Sequence, residues 1–165
     1  DEHTSRGLGY VYKRQQQYNP RRVKGTLYKG GINVPMIVSG NKVNRSNDSD
    51  NSLINTTDLY STVAELCGIE NSDVFDSKSF VGLFNSSPSS NIRDFIYSEL
   101  GNNEYAIRNS THKYIHFEDG SEALFNLSMN EFERPNLLIQ SQLPLSSDDS
   151  KNKDELITKL NQIRN

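Results

Sequence analysis

The sequence predicts an α/β fold in two parts: the end of a helix-covered sheet domain, and then a small antiparallel sheet packed on a C-terminal helix. The first observation is "VPMIV" (residues 34–38), an uninterrupted apolar run typical of a strand buried on both faces. The second is a set of four short runs, rich in aromatic and β-branched residues, between residues 94 and 127. The third is "NKDELITKLNQIRN" (152–165), whose apolar residues recur at helical spacing.

Composition excludes several classes of protein. The 165 residues suit one domain or a domain and a half, and the hydrophobic fraction of 33% is low for a soluble domain. The net charge of −3 disfavours binding to nucleic acid or to an anionic membrane. The single cysteine cannot form an internal disulfide, and no run approaches the ~18 apolar residues of a membrane span.

In the first part of the chain, the buried strand is followed by a polar surface loop (41–52) and an amphipathic helix. This helix is predicted from Asp58 to Cys67, with Thr57 as its N-cap and Gly68 as its stop. Its apolar face predicts that Cys67 is a core residue. A short helical turn and a Ser/Pro loop complete this part, up to about residue 91.

The second part contains the four predicted strands "DFIYSE", "EYAIRN", "HKYIHF" and "EALFNL", with "EDGSE" as the turn between the last two. Asn152 and Glu155 have capping-box spacing at the start of the final helix. We therefore divide the chain at residues 16–91 and 92–165. Residues 1–15 include "SRGLGYVYKRQ", which resembles a translated sequencing adaptor, and we interpret them as a non-native leader.

The segment "KGTLYKGGINVP" (24–35) places a lysine before glycines. A phosphate-binding P-loop requires the opposite order, so that interpretation fails. From the residues alone, Lys24 is a solvated loop lysine, because lysines are seldom buried unless they are paired.

Three segments in order, "KGTLYKGGINVPMIVSG", "LINTTDLYSTVAELCGI" and "YAIRNSTHKYIHFEDGSEALFNLSMNEFERPNLL", resemble the C-terminal portion of the sulfatase family in the alkaline phosphatase superfamily. The resemblance extends from Gln16 to the end of the chain. It implies the end of an alkaline-phosphatase-like α/β domain in the first part. It also implies that Lys24 is a catalytic and substrate-binding residue that contacts the sulfate. A lysine ammonium on a rigid loop would neutralise charge on the sulfate oxygens as the ester bond breaks.

The family pattern is incomplete in this chain. Lys29 stands where an acidic residue is common, and Asn33 where an arginine is common. Sulfatases use a formylglycine made from Cys/Ser-x-Pro/Ala-x-Arg, together with carboxylates that hold Ca²⁺. Neither Cys67 nor Ser86 lies in that motif, since Cys67 is followed by glycine and isoleucine and Ser86 has Ser90 where arginine belongs. We assign no nucleophile and no metal site here and expect both upstream.

Other candidate residues have weaker support. His112 and His116 would lie ~13 Å apart on a strand, too far for one metal ion, and are predicted to be structural or surface residues. Glu99 and Arg108 flank a strand–loop–strand segment that in similar proteins approaches the rim of the substrate cleft, so both are candidates for binding substrate.

The leading hypothesis is the C-terminal part of a hydrolase that cleaves sulfate esters of small molecules or carbohydrates. A phosphate or phosphonate ester hydrolase of the same superfamily is the nearest alternative, and a non-catalytic binding module is the other. The resemblance implies a periplasmic or extracellular location. We also expect exposed apolar surface on "VPMIV" and on the helix from Asp58, because both are built to pack against other elements.

Overall fold

A computed structural model describes residue 19 and residues 21–69, 74–85 and 92–164. The predicted leader (1–15) and Ser86 therefore lie outside the described residues. The chain forms two compact units, one comprising the residues up to Val34 together with 97–165, the other comprising 35–96. This grouping differs from the predicted division because residues up to 34 belong with the C-terminal sheet; the division into domains stays a prediction.

The first unit is built on a four-stranded sheet in the order β1-β2-β3-β4. Strands β2, β3 and β4 pair antiparallel, and a tight turn at Gly120 joins the last two, as the sequence predicts. Residues opposite each other in neighbouring strands point to the same side of a sheet, so the register defines the two faces. The strands are β1 (Ile96–Leu100), β2 (Glu104–Arg108), β3 (His112–His116) and β4 (Glu122–Asn126).

One face of the sheet packs on the C-terminal helix, as predicted. This helix, α3 (Ser147–Arg164), contacts β2 and β3 and buries Leu156 and Leu160. The predicted start at Asn152 was wrong. The helix begins at Ser147 because Ser146 and Asp149 form the capping pair: the Asp149 N–H donates to Ser146 Oγ at 3.1 Å, and that hydroxyl donates to the carboxylate.

The opposite face of the sheet is covered by the segment that contains Lys24. Leu27 is 2% exposed and packs in one cluster with sheet residues, and Tyr28 packs against the same cluster. A single helical turn, α1 (Lys29–Ile32), follows directly. The sheet is therefore covered on both sides, by α3 on one and by this loop on the other. The sheet residues of the loop-side cluster are Ala106, Ile115, Ala123 and Phe125.

The second unit contains the predicted helix, α2 (Asp58–Leu66), and a 3₁₀ turn at Val81–Phe84 where a helical turn was expected. The predicted core face was wrong. Cys67 is exposed and Val63 is 55% exposed, whereas the buried side chains of α2 are mostly polar. The buried face includes Asp58, which is fully buried because its carboxylate accepts hydrogen bonds from Arg93 and from two backbone N–H groups.

The predicted buried strand at 34–38 was also wrong. These residues are described, form no strand and are exposed, with Ile37 at 92%. A doubly covered strand needs paired strands and covering helices, and none of the described residues 35–69 forms a strand that could pair with it. The expectation of exposed apolar surface is confirmed. No helix among the described residues has the length and apolar character to cross a membrane.

Candidate anion-binding site

Lys24 lies on an exposed turn in a segment that we call the Lys24 loop (residues 22–29). Gly25 follows it at φ +80°, a left-handed conformation that favours glycine. The Thr26 hydroxyl donates a 2.7 Å hydrogen bond to the Val23 carbonyl and closes the turn. Within the described part of the chain, no hydrogen bond or ion pair is formed by the Lys24 ammonium.

The second of the paired glycines brings α1 directly against this turn. A Cβ atom on Gly31 would lie 2.1 Å from the Thr26 carbonyl oxygen and 2.8 Å from that of Val23. Both atoms belong to the backbone, so a side chain at this position would displace the turn. Gly31 is therefore required by the close packing of α1 on the turn, and no bound nucleotide is needed to explain it.

Aromatic contacts hold the loop on the sheet. The Tyr28 ring lies 6.0 Å from the Phe125 ring and 5.9 Å from the Phe117 ring, centroid to centroid. The Arg22 guanidinium lies 4.3 Å from the Tyr28 ring centroid, a cation–π contact. The loop therefore rests on the sheet through Tyr28 and Arg22, and Lys24 lies on the exposed turn between them.

A buried ion pair lies beneath the loop. Lys113 Nζ is 2.6 Å from Glu133 Oε1, and both side chains are 3% exposed. The same ammonium donates to the Leu27 carbonyl at 2.5 Å, and Glu133 Oε2 accepts from the Lys29 N–H at 2.8 Å. Burial lowers the pKa of Lys113, and the Glu133 carboxylate opposes that shift.

Arg108 lies on the loop side of the sheet, where it is directly opposite Lys113 in the β2–β3 register. It is half-buried, and its Nε donates to the Asn109 carbonyl at 3.1 Å. Burial lowers the pKa of Arg108, and Glu133 opposes the shift. The Glu133 carboxylate therefore acts electrostatically on both cations, and it pairs directly with Lys113.

Glu99, the other predicted rim residue, lies at the edge strand β1 beside α3. It accepts a 2.5 Å hydrogen bond from the Tyr97 hydroxyl and lies 3.6 Å from Arg164 Nη1 at the end of α3. Glu99 thus interacts with the helix, whereas Arg108 lies on the loop side. Substrate contacts by Lys24, Glu99 and Arg108 stay predictions.

The two departures from the family pattern have partners of their own. Lys29 Nζ forms a 2.5 Å ion pair with Glu131, and the Asn33 N–H donates to the Lys29 carbonyl at 2.9 Å, where α1 ends. At position 29, where an acidic residue is common in the family, this chain has a lysine that pairs with Glu131. Asn33 ends α1 through its backbone N–H.

One cluster of described residues has metal-ligand character, at His112, Asp148 and Asp149, whose candidate ligand atoms lie within 4.8 Å of one another. It does not suit Ca²⁺, which takes six to eight oxygen ligands. Both oxygens of Asp149 already accept hydrogen bonds, one of them from His112 Nε2 at 2.8 Å. The cluster links β3 to α3 through the hydrogen bond between His112 and Asp149. His116 stacks on Tyr105 at 4.6 Å between centroids.

Sequence reasoning did not identify Lys113 and Glu133. The signal available was weak: a lysine inside the β3 pattern "HKYIHF", which points to the same side as the apolar Ile115. A charged residue on a core-facing strand position needs a buried partner. Nothing local identifies that partner as Glu133, 20 positions later.

Two solved structures support the fold. The first is described as a 2-O GAG sulfatase; it aligns with a TM-score of 0.60 and 20% identity over 76% of this chain and 28% of that one. The second is solved in complex with its substrate D-glucosamine-2-N,6-O-disulfate, and aligns with a TM-score of 0.52 and 18% identity over 65% of this chain and 23% of that one. No protein-family model matches the chain, and no curated protein matches it.

The chain thus spans about a quarter of the length of these two structures. The described fold comprises an antiparallel sheet on a C-terminal helix, together with shorter helical elements. The chain is therefore similar in fold to part of a solved sulfatase, in agreement with the resemblance detected in its sequence.

Proposed function

We propose that this chain is part of a sulfatase-type hydrolase that cleaves sulfate esters, and that Lys24 contacts the sulfate group. The observation that supports this most strongly is the state of Lys24: an exposed ammonium on a turn whose flanking residues are fixed to the sheet. An exposed cation on a turn whose backbone is held on both sides suits a bound anion, and the likeness in fold to a solved sulfatase points to sulfate.

The chemical role of Lys24 follows from its charge. As the S–O ester bond breaks, negative charge redistributes over the oxygens of the sulfuryl group and the departing oxygen. A fixed ammonium near those oxygens stabilises that charge without reorganising. Lysine acts here as a point charge, whereas arginine would impose a planar fork. The remaining chemistry, including the formylglycine nucleophile and Ca²⁺, would be supplied by residues outside these 165.

The proposed substrate class is a sulfated carbohydrate or a small sulfate ester. One structural neighbour is described as a GAG sulfatase and another was solved with a sulfated glucosamine. Arg108, half-buried on the loop side, would contact an acidic part of such a substrate, and Glu99 its hydroxyl groups. An exported location, periplasmic or extracellular, accords with the same family.

The test compares two esters with the same leaving group. The whole polypeptide that carries this sequence is assayed on 4-nitrophenyl sulfate and on 4-nitrophenyl phosphate. We expect kcat/KM for the sulfate to exceed that for the phosphate. A strong phosphate preference would instead identify a phosphate or phosphonate ester hydrolase, and no turnover of either ester would favour a binding module.

A further inference from the structure

Burying the Lys113–Glu133 pair is energetically unfavourable, so its presence in the core calls for an explanation. Both charges are almost fully buried, and Glu133 adopts φ +59°, a left-handed conformation that is unfavourable for a residue with a Cβ atom. Apolar residues of similar volume often stabilise a protein as well as a buried ion pair does. Strain and buried charge at one position point to a functional constraint.

The hydrogen bonds of the pair show what that constraint is. Lys113 Nζ donates to the Leu27 carbonyl at 2.5 Å, and Glu133 Oε2 accepts from the Lys29 N–H at 2.8 Å. The backbone carbonyl of Glu133 accepts from Arg22 Nη1 at 2.7 Å. Among the described residues, both side-chain hydrogen bonds that the pair makes outside itself therefore reach the Lys24 loop, and the Glu133 carbonyl adds a third link through Arg22.

We propose that Lys113 and Glu133 are positioning residues that fix the Lys24 loop, and so the ammonium of Lys24, from the C-terminal sheet. Neither residue touches the proposed sulfate. They act through the loop, which extends the proposed function and rests on it. The C-terminal sheet would then serve the anion-binding site directly, because the pair supplies the two hydrogen bonds that fix the loop backbone at Leu27 and Lys29.

Hydrogen exchange on the 165-residue chain tests this without any substrate. The Lys29 N–H begins α1, so no carbonyl within that helix accepts it, and its partner is the Glu133 carboxylate. Its exchange rate therefore reports the link itself. Amides of β3 report the stability of the sheet in the same sample.

The informative variant is Lys113→Met with Glu133→Met, which removes the link without leaving a buried unpaired charge. We expect exchange at Lys29 to rise at least about tenfold while β3 amides stay within about twofold of the unaltered chain. Cleavage after Lys24 by a lysine-specific protease should accelerate with it. The matched control is Glu131→Met, which removes the exposed carboxylate that pairs with the Lys29 side chain and should leave both rates nearly unchanged.

Two outcomes would overturn the proposal. Unchanged exchange at Lys29 in the double variant would mean that the pair does not hold the loop. An equal rise at Lys29 and in β3 would mean that the pair only stabilises the sheet. Neither measurement involves sulfate, so both are independent of the turnover assay. The positioning role of the pair can therefore fail while the proposed function holds, and the reverse.

Discussion

Asp149 connects three parts of the first unit through one carboxylate. It accepts hydrogen bonds from His112 Nε2 at 2.8 Å, from Asn126 Nδ2 at 3.0 Å and from Ser146 Oγ at 2.5 Å. These donors belong to β3, to β4 and to the residue that precedes α3. Burial alone would raise the pKa of Asp149, but the three hydrogen bonds outweigh it and hold the pKa below the usual 3.8.

A depressed pKa makes the stability of this link depend on pH. The folded-state pKa lies below the unfolded value of about 3.9, so the contribution is complete above that value and is lost as pH falls through the folded pKa. We expect Asp149→Asn to lower the free energy of unfolding by about 1–3 kcal/mol at pH 7, and by less below pH ~4.

Urea unfolding of both chains at pH 7 and near pH 3 measures this difference. Asp154→Asn, a change at an exposed carboxylate of α3, is the control and should have little effect at either pH. A difference between the Asp149 variant and the unaltered chain that stays constant with pH would contradict the assignment.

At the level of single residues, the sequence predicted the exposed loop position of Lys24, whose role stays a prediction, but it did not identify the residues beneath the loop. The turn around Lys24 follows from short-range rules for glycine. The contact between Lys113 and Leu27 joins positions 86 apart, and the one between Lys29 and Glu133 joins positions 104 apart. Such pairings depend on the tertiary fold, and one sequence contains no local pattern that specifies them.

Helix α2 is held by its polar face. The Asp58 carboxylate accepts from Arg93 Nε at 2.8 Å, from the Asn55 N–H at 2.7 Å and from the Lys78 N–H at 2.8 Å. Phe80 N donates to Thr62 Oγ1 at 3.1 Å. The second unit is therefore organised by buried polar contacts around α2, while the apolar face of the helix remains exposed.

Removing this carboxylate should destabilise the second unit strongly. Asp58→Ala leaves the Arg93 guanidinium and two N–H groups without their acceptor, and we expect a loss of about 3–5 kcal/mol in the free energy of unfolding. Far-UV circular dichroism during urea unfolding is the measurement. Glu65→Ala, at an exposed position of the same helix, should change stability by less than ~0.5 kcal/mol. A loss below about 1 kcal/mol for Asp58→Ala would show that the buried ion pair does not hold α2.

The elements that the sequence predicted correctly are those whose packing partners lie within the same chain. The four strands and the final helix bury their apolar residues against each other, so periodicity and structure agree. The predicted burial of "VPMIV" and of the apolar face of α2 was wrong because no described element covers these residues. Periodicity identifies residues suited to burial, but the surface that would cover them is not provided by the described residues of the second unit.

The whole molecule has an unusual distribution of apolar surface. Ile37 and Phe75 are 92% and 91% exposed, and the apolar side of α2 adds to them. A monomer seldom leaves so many large apolar side chains in water. The two similar solved structures are about four times the length that this chain matches. This surface accords with the proposal that the chain acts as part of a larger hydrolase.

Whether Lys24 contacts the sulfate is tested by sulfate-ester turnover of the whole polypeptide carrying Lys24→Ala, with Lys151→Ala, at an exposed lysine of α3, as the control. If Lys24 stabilises charge on the sulfuryl oxygens, its removal should lower kcat/KM by about 10²–10³-fold, and the Lys151 change should have no such effect. If the Lys24→Ala enzyme retains kcat/KM within about threefold of the unaltered protein, Lys24 does not stabilise charge on the sulfate.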